Sequence, residues 1–369
     1  MRAAVARRGD GARGAGSSGS VIDVAELADP TPGSGHVLVR SLACGICGSD
    51  LHAADDLDHF VELSSRAGMP SALDLDQGLV FGHEFCAEIV DHGPDTAGSL
   101  PVGTRVCCVP TILGPTGPEA IGYSNQFPGG LAELMVLQEV LLLPVPDGLA
   151  TEAAALTEPL AVGEHAVAVA DLRGGEVCLV VGCGPVGLAV ISALKARGVG
   201  PVLAADFSPT RRRLAELVGA DEAIDPAASS PYTRWADFGV AGDLMERAVR
   251  EMFGVSFTEA VIFEAVGAPG VLQTIIDGAP PRARVVVVGV CMQTDHIEPF
   301  DAVVKQLELR FAFAYTPAEF AATLDRLATG VPGMEALVTD VVGLDGVAAA
   351  FTALRRPDEH GKVLVRHES

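Results

Sequence analysis

An unbroken apolar run, Val177-Cys-Leu-Val-Val, leads directly into Gly182-Cys-Gly184-Pro-Val-Gly187, and Pro185 to Arg197 then carries apolar Val186, Leu188, Val190 and Leu194 at helical spacing. A buried strand, a glycine-rich turn and a helix in that order constrain the fold more than any other stretch. They open a βαβ unit, with parallel strands and a right-handed crossover. Gly182 permits the tight turn, Gly184 lets backbone approach a pyrophosphate, and Gly187 lets the helix pack on its strand. The helix opens at Pro185, which fixes the turn but has no N–H, and the amides from Val186 onward then face an anion.

Val202-Leu-Ala-Ala is the next strand, and Asp206 ends it, 19 residues after Gly187. A carboxylate there accepts hydrogen bonds from ribose hydroxyls and repels a 2′-phosphate, which favours NAD over NADP. Two features pull the other way. Arg211 and Arg212 lie close enough to hold a phosphate instead, and Asp206 also stands where it could cap the next helix as Asp-Phe-Ser-Pro. Strands at Ala260-Val-Ile-Phe and Arg284-Val-Val-Val-Val continue the sheet, and the α/β rhythm ends at about Leu309. Gly267, Val288 and Val290 fall at strand ends where such sheets hold their ligands.

The residues before this region read differently. From Val5 to about Val145 the chain is short apolar runs broken by Gly and Pro, the pattern of an antiparallel barrel or sandwich. Gly9 to Ser20 reads as a loose loop. A length of 369 residues favours two domains.

The 25 basic and 48 acidic residues give a net charge of −23, which repels phosphate backbones and anionic membranes and argues against both as partners. No apolar run reaches the roughly 18 residues of a membrane helix, and the N-terminus has no signal-peptide core, so the expected location is the cytoplasm. Eight cysteines in so long a chain are too few for a disulfide scaffold and are better read as thiols or metal ligands.

Cys44-Gly-Ile-Cys47-Gly-Ser-Asp-Leu-His52, Gly82-His83-Glu84 and Glu158-Pro-Leu-Ala-Val-Gly-Glu-His165 supply a thiolate, an imidazole and carboxylates. Three protein ligands of those types leave a fourth position open, the pattern of a catalytic zinc.

With these motifs in order, the chain resembles the zinc-containing medium-chain alcohol dehydrogenases, nearest to the sorbitol and threonine dehydrogenase branch. The resemblance covers almost the whole length. It implies an α/β chain with a GroES-like, β-rich catalytic domain from residues 1–158 and 309–369, and a doubly wound Rossmann domain inserted at 159–308. It implies Cys47, His83 and either Glu84 or Glu158 as ligands of one catalytic zinc, with Cys44 a neighbouring thiol. Asp50 falls behind the ligand histidine, Ser49 and His52 match a proton relay, and His165 reads as a packed helix residue. The implied reaction moves hydride between an alcohol, or its ketone or aldehyde, and NAD. Relatives of this kind are homodimers or homotetramers.

Two departures stand out. A second, structural zinc needs four closely spaced cysteines, and here only Cys107 and Cys108 are present, adjacent in a strand and facing opposite ways, so no structural zinc is expected. The 36 residues from Cys47 to His83 also exceed the family spacing. The excess, Ala53 to Leu79, either lids a bulky or hydrophobic substrate or packs as a small helix or subunit contact. The rival readings are a zinc-free NAD(P)H quinone or enoyl reductase of the same superfamily, a catalytically silent nucleotide-binding protein, and a redox-neutral enzyme using NAD transiently.

Overall fold

Helix and strand signals along the chain resolve, in a computed structural model, into two compact units. The described residues are 1–9, 20–69, 73–74, 76–115, 117–356 and 360–367. Residues 10–19 of the expected loop, and 70–72 and 75 of the expected insertion, lie outside them. The first unit comprises residues 1–158, 320–330 and 338–369, and the second 159–319 and 331–337.

The second unit is built on six parallel strands in the spatial order Glu222–Ile224, Val202–Ala205, Val177–Val181, Ala260–Glu264, Arg284–Val287, Glu308–Phe311. The third strand in space is the first in sequence, so chain order reverses between Val177–Val181 and Ala260–Glu264. That switch point is where open α/β sheets hold a nucleotide. The central strands are apolar up to Glu264, which ends the second of them, because both faces are covered. The parallel sheet also runs past Leu309, where the α/β rhythm was expected to stop: Glu308–Phe311 pairs with Arg284–Val287. Its alternation of Glu308, Leu309, Arg310 and Phe311 is that of an edge strand, which lacks the continuous apolar run of a central one.

In the first unit His36–Gly45 is the hub of a seven-stranded sheet. It pairs antiparallel with Glu84–His92, with Leu134–Gln138 and with the C-terminal strand Lys362–Arg366. Val37, Val39, Phe81, Phe85, Ile89 and Met135 fill the core beneath it. The segment after Arg105–Cys108 folds as a hairpin, Thr111–Gly114 against Gly117–Ala120, with Ile112 buried below. Cys107 and Cys108 are free thiols with separate partners: one donates to the Ala154 carbonyl and the other to Val109.

The Ala53–Leu79 insertion supplies a second helix, Leu57–Arg66, directly after Gly48–Asp55. Asp56 caps it by accepting from the His59 amide at 3.0 Å. Leu57 is buried, and Phe60 packs against the core. Farther on, Leu79 exchanges backbone hydrogen bonds with Ala6, at 2.8 and 2.9 Å. No helix among the described residues is long and apolar enough to cross a membrane.

His367 closes the C-terminal strand with its ring nitrogen 2.9 Å from the Gly130 carbonyl. Burial, partly opposed by that hydrogen bond, holds its pKa below the ordinary histidine value. A neutral ring in the fold and a titrating one in the unfolded chain means this contribution is full above about pH 6.5 and falls away as pH drops through the folded value. Between pH 7.5 and 5.5 the melting temperature of wild type is therefore expected to fall more than that of His367→Gln. Equal slopes in the two proteins would dispose of the assignment.

Candidate functional site

Cys47 precedes the helix Gly48–Asp55 and occupies its N-cap position. Asp50, in the first turn, reaches back and accepts the Cys47 amide at 3.0 Å. This reciprocal cap fixes where the half-exposed thiol projects. Asp50 is fully buried. Its other oxygen lies 2.8 Å from the Tyr123 hydroxyl and 3.4 Å from Nδ1 of His83. One carboxylate thus stands behind three groups, and the Tyr123 hydroxyl continues to Ser49 Oγ at 2.9 Å.

His83 enters from the strand side after Gly82, whose φ of +106° suits glycine. A Cβ at Gly82 would also stand 2.7 Å from the Cys44 sulfur and 2.9 Å from the Leu131 amide nitrogen. The same crowding explains Cys44, which is walled in by Gly82 and Gly130 and held well above an ordinary thiol pKa by burial, so it is a packed, unreactive group. A nitrogen of His83, the Cys47 sulfur and a Glu84 oxygen all lie within 4.8 Å of one another. Burial disfavours the charged His83 ring, but Asp50 and Cys47 outweigh it and raise its pKa. His83 Nδ1 is buried, and Asp50 faces it at 3.4 Å as an ion-pair contact longer than an ordinary hydrogen bond.

Glu84 has another partner as well. Lys362, buried at the start of the C-terminal strand, places its ammonium 2.7 Å from both Glu84 oxygens and 3.2 Å from the Ile46 carbonyl. Desolvation opposes that charge, and Glu84, Cys47 and Glu158 more than restore it. Glu158 is buried and lies outside the 4.8 Å group.

In the second unit the glycine turn follows Val177–Val181 as the sequence suggests. A Cβ at Gly187 would fall 1.9 Å from the Gly182 carbonyl, so only glycine lets the helix Pro185–Ala196 sit this close. Above Gly184 the nearest atoms are those of the Arg211 guanidinium, at 3.7 Å or more, which leaves the backbone open to a ligand. Arg211 Nε is buried without a hydrogen-bond partner. Asp206 accepts from the Cys183 amide at 2.7 Å and from the Ser208 amide at 2.8 Å. Ser208, not Asp206, caps the next helix. Gly267 packs on the backbone of Val290, and Glu264 accepts the Val266 and Gly267 amides at 2.8 Å, holding the turn that borders the strand end.

Comparison with known proteins agrees with both halves. Residues 33–147 match the family model described as an alcohol dehydrogenase GroES-like domain, and 185–329 that of a zinc-binding dehydrogenase. The chain is 32% identical over 355 residues to (R,R)-butanediol dehydrogenase of Bacillus subtilis, covering 94% of this chain and 96% of that one. The chain belongs to the zinc-binding alcohol dehydrogenase family. It is also 28% identical to Bacillus subtilis sorbitol dehydrogenase, over 91% of this chain and 92% of that one. The crystal structure of Bacillus subtilis 2R,3R-butanediol dehydrogenase superposes with a TM-score of 0.77 at 28% identity, over 99% of each chain.

Within this dehydrogenase the structure gathers Cys47, Ser49, Asp50, His83 and Glu84, leaves His52 exposed on the same helix, and pairs His165 with Glu319 at 3.1 Å. Sequence reasoning missed Lys362 and Tyr123. The first had a signal: a lysine opening the apolar run Lys-Val-Leu-Val becomes a buried ammonium that needs a carboxylate. The second sits in the Gly/Pro-rich stretch Gly122 to Gly130 and carries no motif.

Proposed function

We propose that this alcohol dehydrogenase binds one catalytic zinc through Cys47, His83 and Glu158, and that it uses NAD in preference to NADP. The observation that supports this best is the buried Asp50, which orients the thiol, the imidazole and the Tyr123–Ser49 hydroxyl pair together. A thiolate, an imidazole and a carboxylate suit zinc, and Asp50, 3.4 Å from Nδ1 of His83, stands behind that ring and holds it in place. Glu84 is assigned to Lys362 because an ammonium at 2.7 Å from both of its oxygens disfavours a second cation there. Bound at these residues, zinc acidifies an alcohol hydroxyl, and the dinucleotide accepts the hydride.

The chain's own groups do the rest. Ser49 accepts the hydroxyl proton as it gives up its own, and the exposed His52 exchanges that released proton with solvent. Gly182, Gly184, Pro185, Val186 and Gly187 present backbone to a pyrophosphate, with the free Nε of Arg211 beside them. Asp206 places negative charge where a 2′-phosphate would lie. Val288 and Val290, with Gly267, border the nicotinamide end. Phe60, partly buried and stacked on Tyr123, gives the site an aromatic neighbour, which favours an alcohol bulkier or more apolar than a polyol, while Phe81 backs Tyr123 from the core.

We assign a homodimer or homotetramer to the chain, because the edge strand Glu308–Phe311 leaves one row of backbone groups open and Phe300, Val303, Phe311 and Phe313 are exposed. One preparation tests the proposal. Metal analysis should give one zinc per chain, and NADH should form at least about ten times faster than NADPH with secondary alcohols of graded size. Two zincs would refute the single site, and no turnover of any alcohol or ketone would refute the reaction. The mass in solution checks the assembly.

A further inference from the structure

The Tyr123 hydroxyl has one proton and two neighbours, Asp50 Oδ1 at 2.8 Å and Ser49 Oγ at 2.9 Å. An ionised carboxylate only accepts and is the stronger acceptor of the two. Asp50 is fully buried and already takes the Cys47 amide on its other oxygen. The phenolic proton therefore goes to Asp50, which leaves the phenol oxygen free to accept from Ser49. Before transfer, a serine whose hydrogen is turned in that direction presents its lone pairs elsewhere, ready to accept a hydrogen bond from a substrate hydroxyl, and it releases that hydrogen as it takes the substrate's.

The phenol is itself held. Its ring stacks on Phe60 at a centroid distance of 5.1 Å and an angle of 26°, meets Phe81 edge-on at 6.0 Å, and lies 5.3 Å from the His83 ring. Phe60 belongs to the helix Leu57–Arg66, part of the extra length between Cys47 and His83. We propose that Tyr123 is a positioning residue that sets the Ser49 hydroxyl as a proton acceptor, and that the inserted helix serves the reaction by clamping the phenol through Phe60. This rests on the alcohol-oxidation reading above.

The zinc-loaded enzyme saturated with dinucleotide supplies the first test. Tyr123→Phe keeps the stacked ring and removes only the hydroxyl. The expected result is a fall of about tenfold in kcat for alcohol oxidation, the rate equivalent of one hydrogen bond, with KM for the alcohol within about twofold. An unchanged kcat, or a change confined to KM, would overturn the assignment. Phe60→Ala should lower kcat in the same direction, and the double variant should be no slower than Tyr123→Phe alone. Additive losses would remove the helix from the proposal.

The second test needs neither metal nor turnover. The chain has three tyrosines, so the Cζ resonance of Tyr123 in protein labelled with 13C-tyrosine is assigned by its loss in Tyr123→Phe. Asp50→Asn should move that resonance more than Ser49→Ala does. The reverse ranking would mean the phenol donates to Ser49, and would sink the proposal whether or not the enzyme oxidises alcohols. Wild type that fails to turn over any alcohol would instead count against the reaction while leaving the resonance test to decide the hydrogen-bond direction.

Discussion

A Cys47→Ser variant is expected to bind zinc at least about 100-fold more weakly than wild type and to lose on the order of a thousandfold in kcat. The first figure follows because altering a group behind a ligand already costs about 10- to 100-fold in affinity, and Cys47 is assigned as a ligand itself. The second corresponds to about 4 kcal/mol of electrostatic stabilisation lost from the transition state. The fold should survive, since the Cys47 amide keeps its hydrogen bond to Asp50 whatever the side chain. Cys44→Ser is the matched control: that thiol is enclosed by Gly82 and Gly130, so its loss should lower stability and leave zinc per folded chain unchanged. Metal analysis and kcat measured on both variants check this. A Cys47→Ser protein that keeps its zinc, or a Cys44→Ser protein that loses it, would reassign the thiol ligand.

The second large effect is expected at Lys362. Replacing it with methionine removes the ammonium from both Glu84 oxygens and leaves a carboxylate enclosed with no counter-charge. Breaking a buried pair on one side costs about 3 to 5 kcal/mol, far more than the net worth of the pair, because the remaining ion bears its full desolvation penalty. Lys362→Met should therefore lower the melting temperature by about 10 °C. Adding Glu84→Gln should recover most of the loss, since a neutral amide tolerates the site far better than an unpaired carboxylate. Thermal unfolding of the two single variants and the double variant reads the coupling directly. If the double variant is no more stable than Lys362→Met, the ion pair does not account for the effect.

What could be read from sequence and what could not divides by distance along the chain. Gly182 to Gly187, Cys47 to Asp50 and Gly82 to Glu84 are local: each puts its chemistry within a few residues of the turn or helix end that presents it. Lys362 reaches Glu84 across 278 residues, and Tyr123 reaches Ser49 across 74. The first meeting is a product of sheet pairing, of Lys362–Arg366 and Glu84–His92 flanking His36–Gly45, and the second of a loop that brings Tyr123 to the helix Gly48–Asp55. No spacing rule encodes that. Asp206 shows a subtler limit. Strand, glycines and acid were legible, but the acid turned out to hold the Cys183 and Ser208 amides while Ser208 capped the helix. Short-range backbone bonding competes with any ligand for the same carboxylate. The insertion was legible as extra length, yet its contact, Phe60 on Tyr123, depended on a loop with no periodic signal.

The pairing of the C-terminal strand with the hub strand also sets an order of events on the ribosome. Glu84 emerges 278 residues before Lys362, and at about 5 to 20 residues per second the interval is on the order of tens of seconds. All six strands of the parallel sheet, from Val177 to Phe311, are synthesised within it. The inserted unit can thus finish folding while the unit that surrounds it in sequence still lacks the cation for the buried Glu84. Nascent chains stalled before Lys362 carry Glu84 as an uncompensated charge, and a newly made molecule completes its metal-binding half last.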